Sequence, residues 1–127
     1  MTLVVITAER VRGIYVEQIA AGLLRDPGAL EGAVAAPFQT PFGHNPYPTI
    51  AQKAGKLLDG IQRVQAYTDG NKRLAWLSSV AFLSLNCQYV VDTSQEEVDE
   101  FVRSLAGAEA PEIRAAVWFN DRLAGAN

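Results

Sequence analysis

The chain has 127 residues, 49% of them hydrophobic, enough for one packed core and consistent with a single domain over residues 1–127. A formal net charge of -3, with Lys72-Arg73 as the tight basic cluster, argues against a general nucleic-acid or anionic-membrane binder. The single Cys87 excludes an internal disulfide, and Leu3-Val4-Val5-Ile6 is too short for a signal-peptide core or a membrane span, so a cytoplasmic protein is expected.

In chain order, Thr7 reads as an N-cap, followed by Val11, Ile14, Tyr15 and Ile19 on one face of a first helix. Asp26-Pro27 opens a short second helix, because proline suits the first helical position. The stretch from Ala35 to Pro48 is rich in Pro, Gly, Asn and Thr and forms the main irregular segment, long enough to suspect function. Beyond it, Ile50, Ala54, Leu57, Leu58, Ile61 and Val64 keep helical spacing, which assigns Gln52, Lys53, Lys56, Asp59, Gln62 and Arg63 to the opposite, polar side. The segment from Asn71 to Asn86 is apolar nearly all round and predicts a central helix buried on most sides. Asn86 to Asp92 reads as an extended link in which Cys87 is a small buried apolar residue. Thr93 or Ser94 then caps a helix that turns Val98, Phe101, Val102 and Leu105 inward. A last helix from about Pro111 to Leu123 uses Ile113, Val117 and Trp118, and the fold class is all-α.

The run Asp69-Gly70-Asn71-Lys72-Arg73 carries the most chemistry. Gly70 can take a positive φ and turn the backbone so that successive N–H groups converge on one point. The helix that follows would add its free N–H groups and positive dipole end beside Lys72 and Arg73. Arg73 can grip a phosphate bidentately, while Lys72 supplies a mobile charge. Asp69 suits a pure anion site only if it holds a divalent cation shared with the phosphates, which favours a nucleotide over bare phosphate. Ordinary turn chemistry, with Asp69 or Asn71 capping the helix and both cations solvated, satisfies the same five residues.

The stretch Gln65-Ala66-Tyr67-Thr68-Asp69-Gly70-Asn71-Lys72-Arg73-Leu74-Ala75-Trp76 resembles the core motif of the Fic/Doc (Fido) family, His-x-Phe-x-Asp/Glu-Gly/Ala-Asn-Gly/Lys-x-x-Arg. The likeness continues through Arg25-Asp26-Pro27-Gly28-Ala29-Leu30-Glu31, Pro37-Phe38-Gln39-Thr40, Gly43, Tyr47-Pro48-Thr49 and Phe82-Leu83-Ser84-Leu85-Asn86. Lys72, and Trp76 in place of the final arginine, look more like the Doc (death-on-curing) toxin branch than like large adenylylating Fic proteins. The resemblance implies a compact Fido-type helical domain with a flap loop or short hairpin over the site. It further implies transfer of a phosphoryl or nucleotidyl group from a nucleoside triphosphate, with Mg2+, to a protein hydroxyl. A translation protein such as elongation factor Tu would be the target, and a separate antitoxin a possible partner. Position by position, Asp69 would hold the metal, and Gly70, Asn71, Lys72 and Arg73 the phosphates. Phe42, Gly43, His44 and Tyr47 would form the flap, with Tyr67 and Trp76 walling the pocket.

The family's catalytic histidine corresponds to Gln65, an amide that cannot accept a proton near neutral pH but can orient a hydroxyl by hydrogen bonding. Losing a general base typically lowers a rate by about two to four orders of magnitude, while positioning and charge stabilisation survive. His44, the only histidine, is an alternative catalytic group if its loop reaches the cradle, and otherwise a plain surface residue. Three readings stay open: a weakened transferase, a binding pseudoenzyme, and a Fido fold recruited to different small-molecule chemistry through His44 or other pocket residues.

Overall fold

The computed structural model describes residues 2–125. Helix α1 (Ala8–Ile14) is capped by Thr7, whose side chain accepts from the Arg10 N–H, and runs on into a π-helical turn over Tyr15–Ile19. Ala20, in the left-handed region at φ 46°, stops it. Helix α2 (Pro27–Ala35) starts as the sequence predicts, with Pro27 in its first turn and the Asp26 side chain accepting from the Ala29 N–H.

Helix α3 (Ile50–Val64) opens with a reciprocal capping box: Thr49 Oγ1 accepts from the Gln52 N–H and Gln52 Oε1 from the Thr49 N–H. It is the axis of the fold, packed against α2, against α4 (Asn71–Leu85) and against α6 (Pro111–Asn120). That leaves little of its circumference to solvent. Lys53 and Asp59, placed on the polar side by their spacing, are buried at 6% exposure each, because three neighbours surround a helix that the periodicity assigns to two faces.

Helix α4 ends at Asn86, whose buried amide donates to Phe82 O and Val4 O and accepts from the Val4 N–H, pinning the N-terminal segment. The extended link after it is β1 (Gln88–Val90), paired antiparallel with β2 (Leu123–Gly125) in the register Tyr89↔Ala124. The last helix therefore stops at Asn120 rather than Leu123, since Leu123 is taken by the ribbon. Cys87 is exposed, at φ 59°, on the turn into β1, and is not the buried residue expected.

Helix α5 (Gln95–Ser104) is capped by Ser94 and buries Val98, Phe101 and Val102, with Leu105 just beyond it, as their spacing predicts. On α6 the expected inward face is rotated: Ile113 and Val117 are exposed, and Ala115 and Phe119 are buried instead. Aromatic packing sets that rotation. Phe101 stacks on Trp118 with centroids 4.0 Å apart, while Phe119 lies parallel to Trp76 at 6.1 Å, so α4, α5 and α6 share one cluster. Six α-helices and one short ribbon among the described residues make the all-α architecture expected. None of these helices is long and apolar enough to cross a membrane.

Candidate functional site

The link between α3 and α4 is a knot of hydrogen bonds. Gln65 closes α3 in the left-handed region at φ 50°, and Gly70 opens α4 at φ 81°. A side chain at Gly70 would be strained at that φ, and its Cβ would stand 2.6 Å from Ile19 Cγ2. Between them, buried Asn71 reaches back: Oδ1 accepts from the Tyr67 N–H at 3.0 Å, and Nδ2 donates to Tyr67 O at 2.8 Å and to Gln65 Oε1 at 3.3 Å. The Tyr15 hydroxyl donates to Asp69 O at 2.8 Å, and the Asp69 carboxylate folds onto the Gly70 N–H.

A second segment, residues 20–26, is strapped across this link. Thr68 N–H donates to Leu23 O and Leu23 N–H to Thr68 Oγ1, and Arg25 and Asp26 N–H both donate to Ala66 O. The Arg25 guanidinium adds a bond from Nη2 to Gln65 O at 2.8 Å. The approach is so close that a Cβ on Gly22 would sit 2.2 Å from Thr68 Oγ1. Residues 20–26 are thus bonded along the link at Gln65, Ala66 and Thr68.

Phe42, Gly43, His44 and Tyr47, the flap that the sequence reading sets over the site, are held elsewhere. The loop is anchored by Lys53, whose ammonium donates to Tyr47 O at 2.6 Å, Asn45 Oδ1 at 3.1 Å and Pro37 O at 3.4 Å, and by the Phe38 ring against Phe82. Lys53 lies twelve residues before Gln65, about 18 Å at 1.5 Å per residue, and Phe82 eleven after Asn71, about 16 Å. The anchors sit at the far end of the α3–α4 pair, and the structure does not bring His44 to Gln65 or Asp69. Phe42 is fully exposed in the left-handed region and His44 is exposed.

At the near end the first donors of α4 are open. Gly70 gives no side-chain cap, and the N–H groups of Asn71, Lys72 and Arg73 have no acceptor among the described residues; the ladder begins with Leu74 N–H to Gly70 O. Lys72 and Arg73 are exposed, and neither forms an ion pair among the described residues, where the Arg63–Asp59 contact at 2.7 Å is the salt bridge found. They also line a cavity of about 510 Å³ between α4 and α5, walled by Trp76, Leu77, Val98 and Val102.

Gln65 is exposed, and its amide is occupied, with Nε2 donating to Gln62 O at 2.6 Å while Oε1 accepts from Asn71. Tyr67 is buried at 4% and stacks on Tyr15 with centroids 3.5 Å apart, so it supports the link from beneath and walls no pocket. Burial pushes its hydroxyl pKa up, the Arg12 charge pulls it down and Tyr15 adds to the rise, so it stays a neutral phenol at pH 7. No group of three or more His, Cys, Asp or Glu side chains able to share a metal ion occurs among the described residues. Asp69 is exposed, and of its two carboxylate oxygens Oδ1 accepts from the Gly70 N–H while Oδ2 has no partner among the described residues.

Sequence reasoning missed Arg25, Leu23, Thr68 and Tyr15 as parts of the site. The available signal was a short link between two helices, carrying Gly22 and Arg25, but the longer Pro/Gly-rich loop drew the functional reading instead.

A model of the Fic/DOC family matches residues 5–83 of the chain. The protein Toxin Doc from Mycolicibacterium smegmatis (strain ATCC 700084 / mc(2)155) is 37% identical over 84 residues, covering 65% of this chain and 65% of that protein. No solved structure matches.

Proposed function

The chain belongs to the Fic/DOC family, and from that premise we propose that it is a Doc-like toxin that binds the phosphates of a nucleoside triphosphate at the start of α4. The observation that carries the reading is the set of free N–H groups at Asn71, Lys72 and Arg73, beside two cations without an ion pair among the described residues. A phosphate there would meet backbone donors, the positive end of a 15-residue helix and the Arg73 fork at once. Asn71 and the strap over residues 20–26 hold those donors in place before any ligand arrives, so little ordering opposes binding.

Magnesium, held by Asp69 together with the phosphates, would neutralise charge developing on the transferred group. In the transfer reading, the protein contributes position and electrostatics, which dominate phosphoryl transfer, and Gln65 marks the place of the missing base. Its amide, bonded to Gln62 and Asn71, acts as a peg between the two helices rather than a proton acceptor. That occupancy favours a second reading, a protein that binds the nucleotide and a partner without turnover. A separate antitoxin is the partner expected of a Doc-like toxin.

Calorimetric titration of Mg-ATP into the parent and Arg73→Ala tests the site. Binding in the parent should weaken at least ten-fold in the variant, in keeping with about 1.5–3 kcal/mol for a hydrogen bond to a charged group. Equal affinity would remove the phosphate reading. Gln65→His separates the two readings: transfer from Mg-ATP to a protein hydroxyl appears if only the base is lacking, and its absence favours the binding protein.

A further inference from the structure

We propose that the strap over residues 20–26 is a docking edge for the acceptor: it seats an extended segment of the target protein, and Arg25 reads a carboxylate beside the accepting hydroxyl. The proposal rests on the transfer reading above and adds what kind of protein segment the site takes.

Three observations carry it. The first is the place of Arg25. Its guanidinium donates from Nη2 to Gln65 O at 2.8 Å, and the Gln65 side chain accepts from Asn71, the residue that opens α4. The Arg25 head is therefore fixed at the α3 end of the link, while the open amides of Asn71, Lys72 and Arg73 lie at its α4 end. A hydroxyl that approaches a phosphate on those amides past Gln65 has this guanidinium beside it.

The second is the charge of Arg25. It is exposed, forms no ion pair, and its remaining N–H donors have no acceptor among the described residues. Asp26 and Asp69 do not neutralise it, since their Oδ1 atoms accept from the Ala29 and Gly70 N–H groups instead. A guanidinium already oriented by one bond loses little freedom on taking a carboxylate. Phosphates have three amides and two cations of their own at the α4 end, which leaves Arg25 to the acceptor.

The third is the backbone. Leu24 bridges Tyr67 antiparallel, and the bonds of the bridge run from Thr68 N–H to Leu23 O and from Arg25 N–H to Ala66 O. In that pattern the N–H and C=O of Leu24 itself point away from the link, and neither has a partner among the described residues. The strap thus has an unpaired edge, which is a template for adding a strand. Alternation sets Leu24 against the core and puts Leu23, 76% exposed, on the outer face with Arg25. An apolar and a cationic side chain two residues apart match a strand that carries an apolar and an acidic one at the same spacing.

The test titrates two synthetic peptides, Ac-Thr-Val-Thr-Glu-Thr-Val-Thr-NH2 and its twin with Gln in place of Glu, into the protein saturated with magnesium tripolyphosphate. The cradle is then filled and the acceptor side is free. The acidic peptide should bind about ten-fold more tightly than its twin, the discrimination of one charge-assisted contact. In two-dimensional nuclear magnetic resonance the Leu24 N–H and the Arg25 side chain should shift together. Arg25→Gln, whose amide can still donate to Gln65 O, should erase the preference. Comparing two peptides within one variant separates the reading of charge from a loosened fold, and the measurement on the unaltered protein is decisive by itself. Equal affinities in the parent, a preference that survives Arg25→Gln, or an unmoved Leu24 N–H overturns the docking edge. So does displacement of the acidic peptide by tripolyphosphate, because the peptide would then be occupying the cradle. Tripolyphosphate bound at the start of α4 with neither peptide bound removes the edge and leaves the phosphate site standing, whereas failure of tripolyphosphate to bind removes both.

Discussion

At the near end of the α3–α4 pair, residues 65–70 are bonded from three directions, by Asn71, by Tyr15 and by the strap over residues 20–26, and three backbone donors are nonetheless left open. At the far end, the loop that includes Phe42 and His44 is anchored by buried Lys53, by Lys56 over the Tyr47 ring, by buried Pro37 and by Phe38 against Phe82, with its tip in solvent. The difference shows what marks a site in this fold. Irregular composition is common to both ends, but the capped start of α3 leaves two donors open, Ile50 and Ala51, whereas the uncapped start of α4 leaves three in a row beside two cations on a fixed backbone, which suits binding an anion without first reorganising.

Breaking the near end should have the largest effect. Asn71→Ala leaves the buried N–H and C=O of Tyr67 without partners, and denaturant unfolding should register a loss of about 2–4 kcal/mol. Gly70→Ala places a side chain at φ 81° and against Ile19, which should destabilise by about 1–3 kcal/mol and weaken phosphate binding together. An unchanged unfolding midpoint in either variant would mean that the link is not held as described.

The far end should respond less. Lys53→Met frees the loop and orphans the Tyr47 carbonyl, a loss of about 1–2 kcal/mol, with nucleotide affinity unaltered. It also carries a pH signature. Burial holds the Lys53 pKa below its ordinary 10.5, so between the lowered value and 10.5 the unfolded chain binds more protons and stability rises with pH. Unfolding measured across that range should show a steeper rise in the parent than in Lys53→Met. Phe42→Asn, at a solvated left-handed position that asparagine tolerates, should change stability by less than about 0.5 kcal/mol. A large loss at Phe42 would reveal packing at the loop tip that the contrast denies.

Much of this was legible in the sequence for local reasons. Thr7, Asp26 and Ser94 each cap the helix they precede, because capping needs only the cap side chain and an N–H three residues on. Gly70 and the two cations after it were readable for the same reason. The failures involve tertiary partners. Lys53 and Asp59 are buried because α3 has neighbours on three sides, and Ile113 and Val117 face solvent because Trp118 and Phe119 turn α6 onto Phe101 and Trp76. The strap was missed because its role lies in bonds to residues about forty positions away, between Leu23 and Thr68 and between Arg25 and Gln65. The Pro- and Gly-rich loop had the composition of a functional segment, but composition says nothing of which end of a helix pair will hold it.

The most direct test of the contrast is to follow every backbone amide by two-dimensional nuclear magnetic resonance while magnesium tripolyphosphate is added. The N–H resonances of Asn71, Lys72 and Arg73 should move first and furthest, with those of Phe42, Gly43, His44 and Tyr47 unmoved. Shifts centred on the Phe42–Tyr47 loop, or no shifts at the start of α4, would contradict the account.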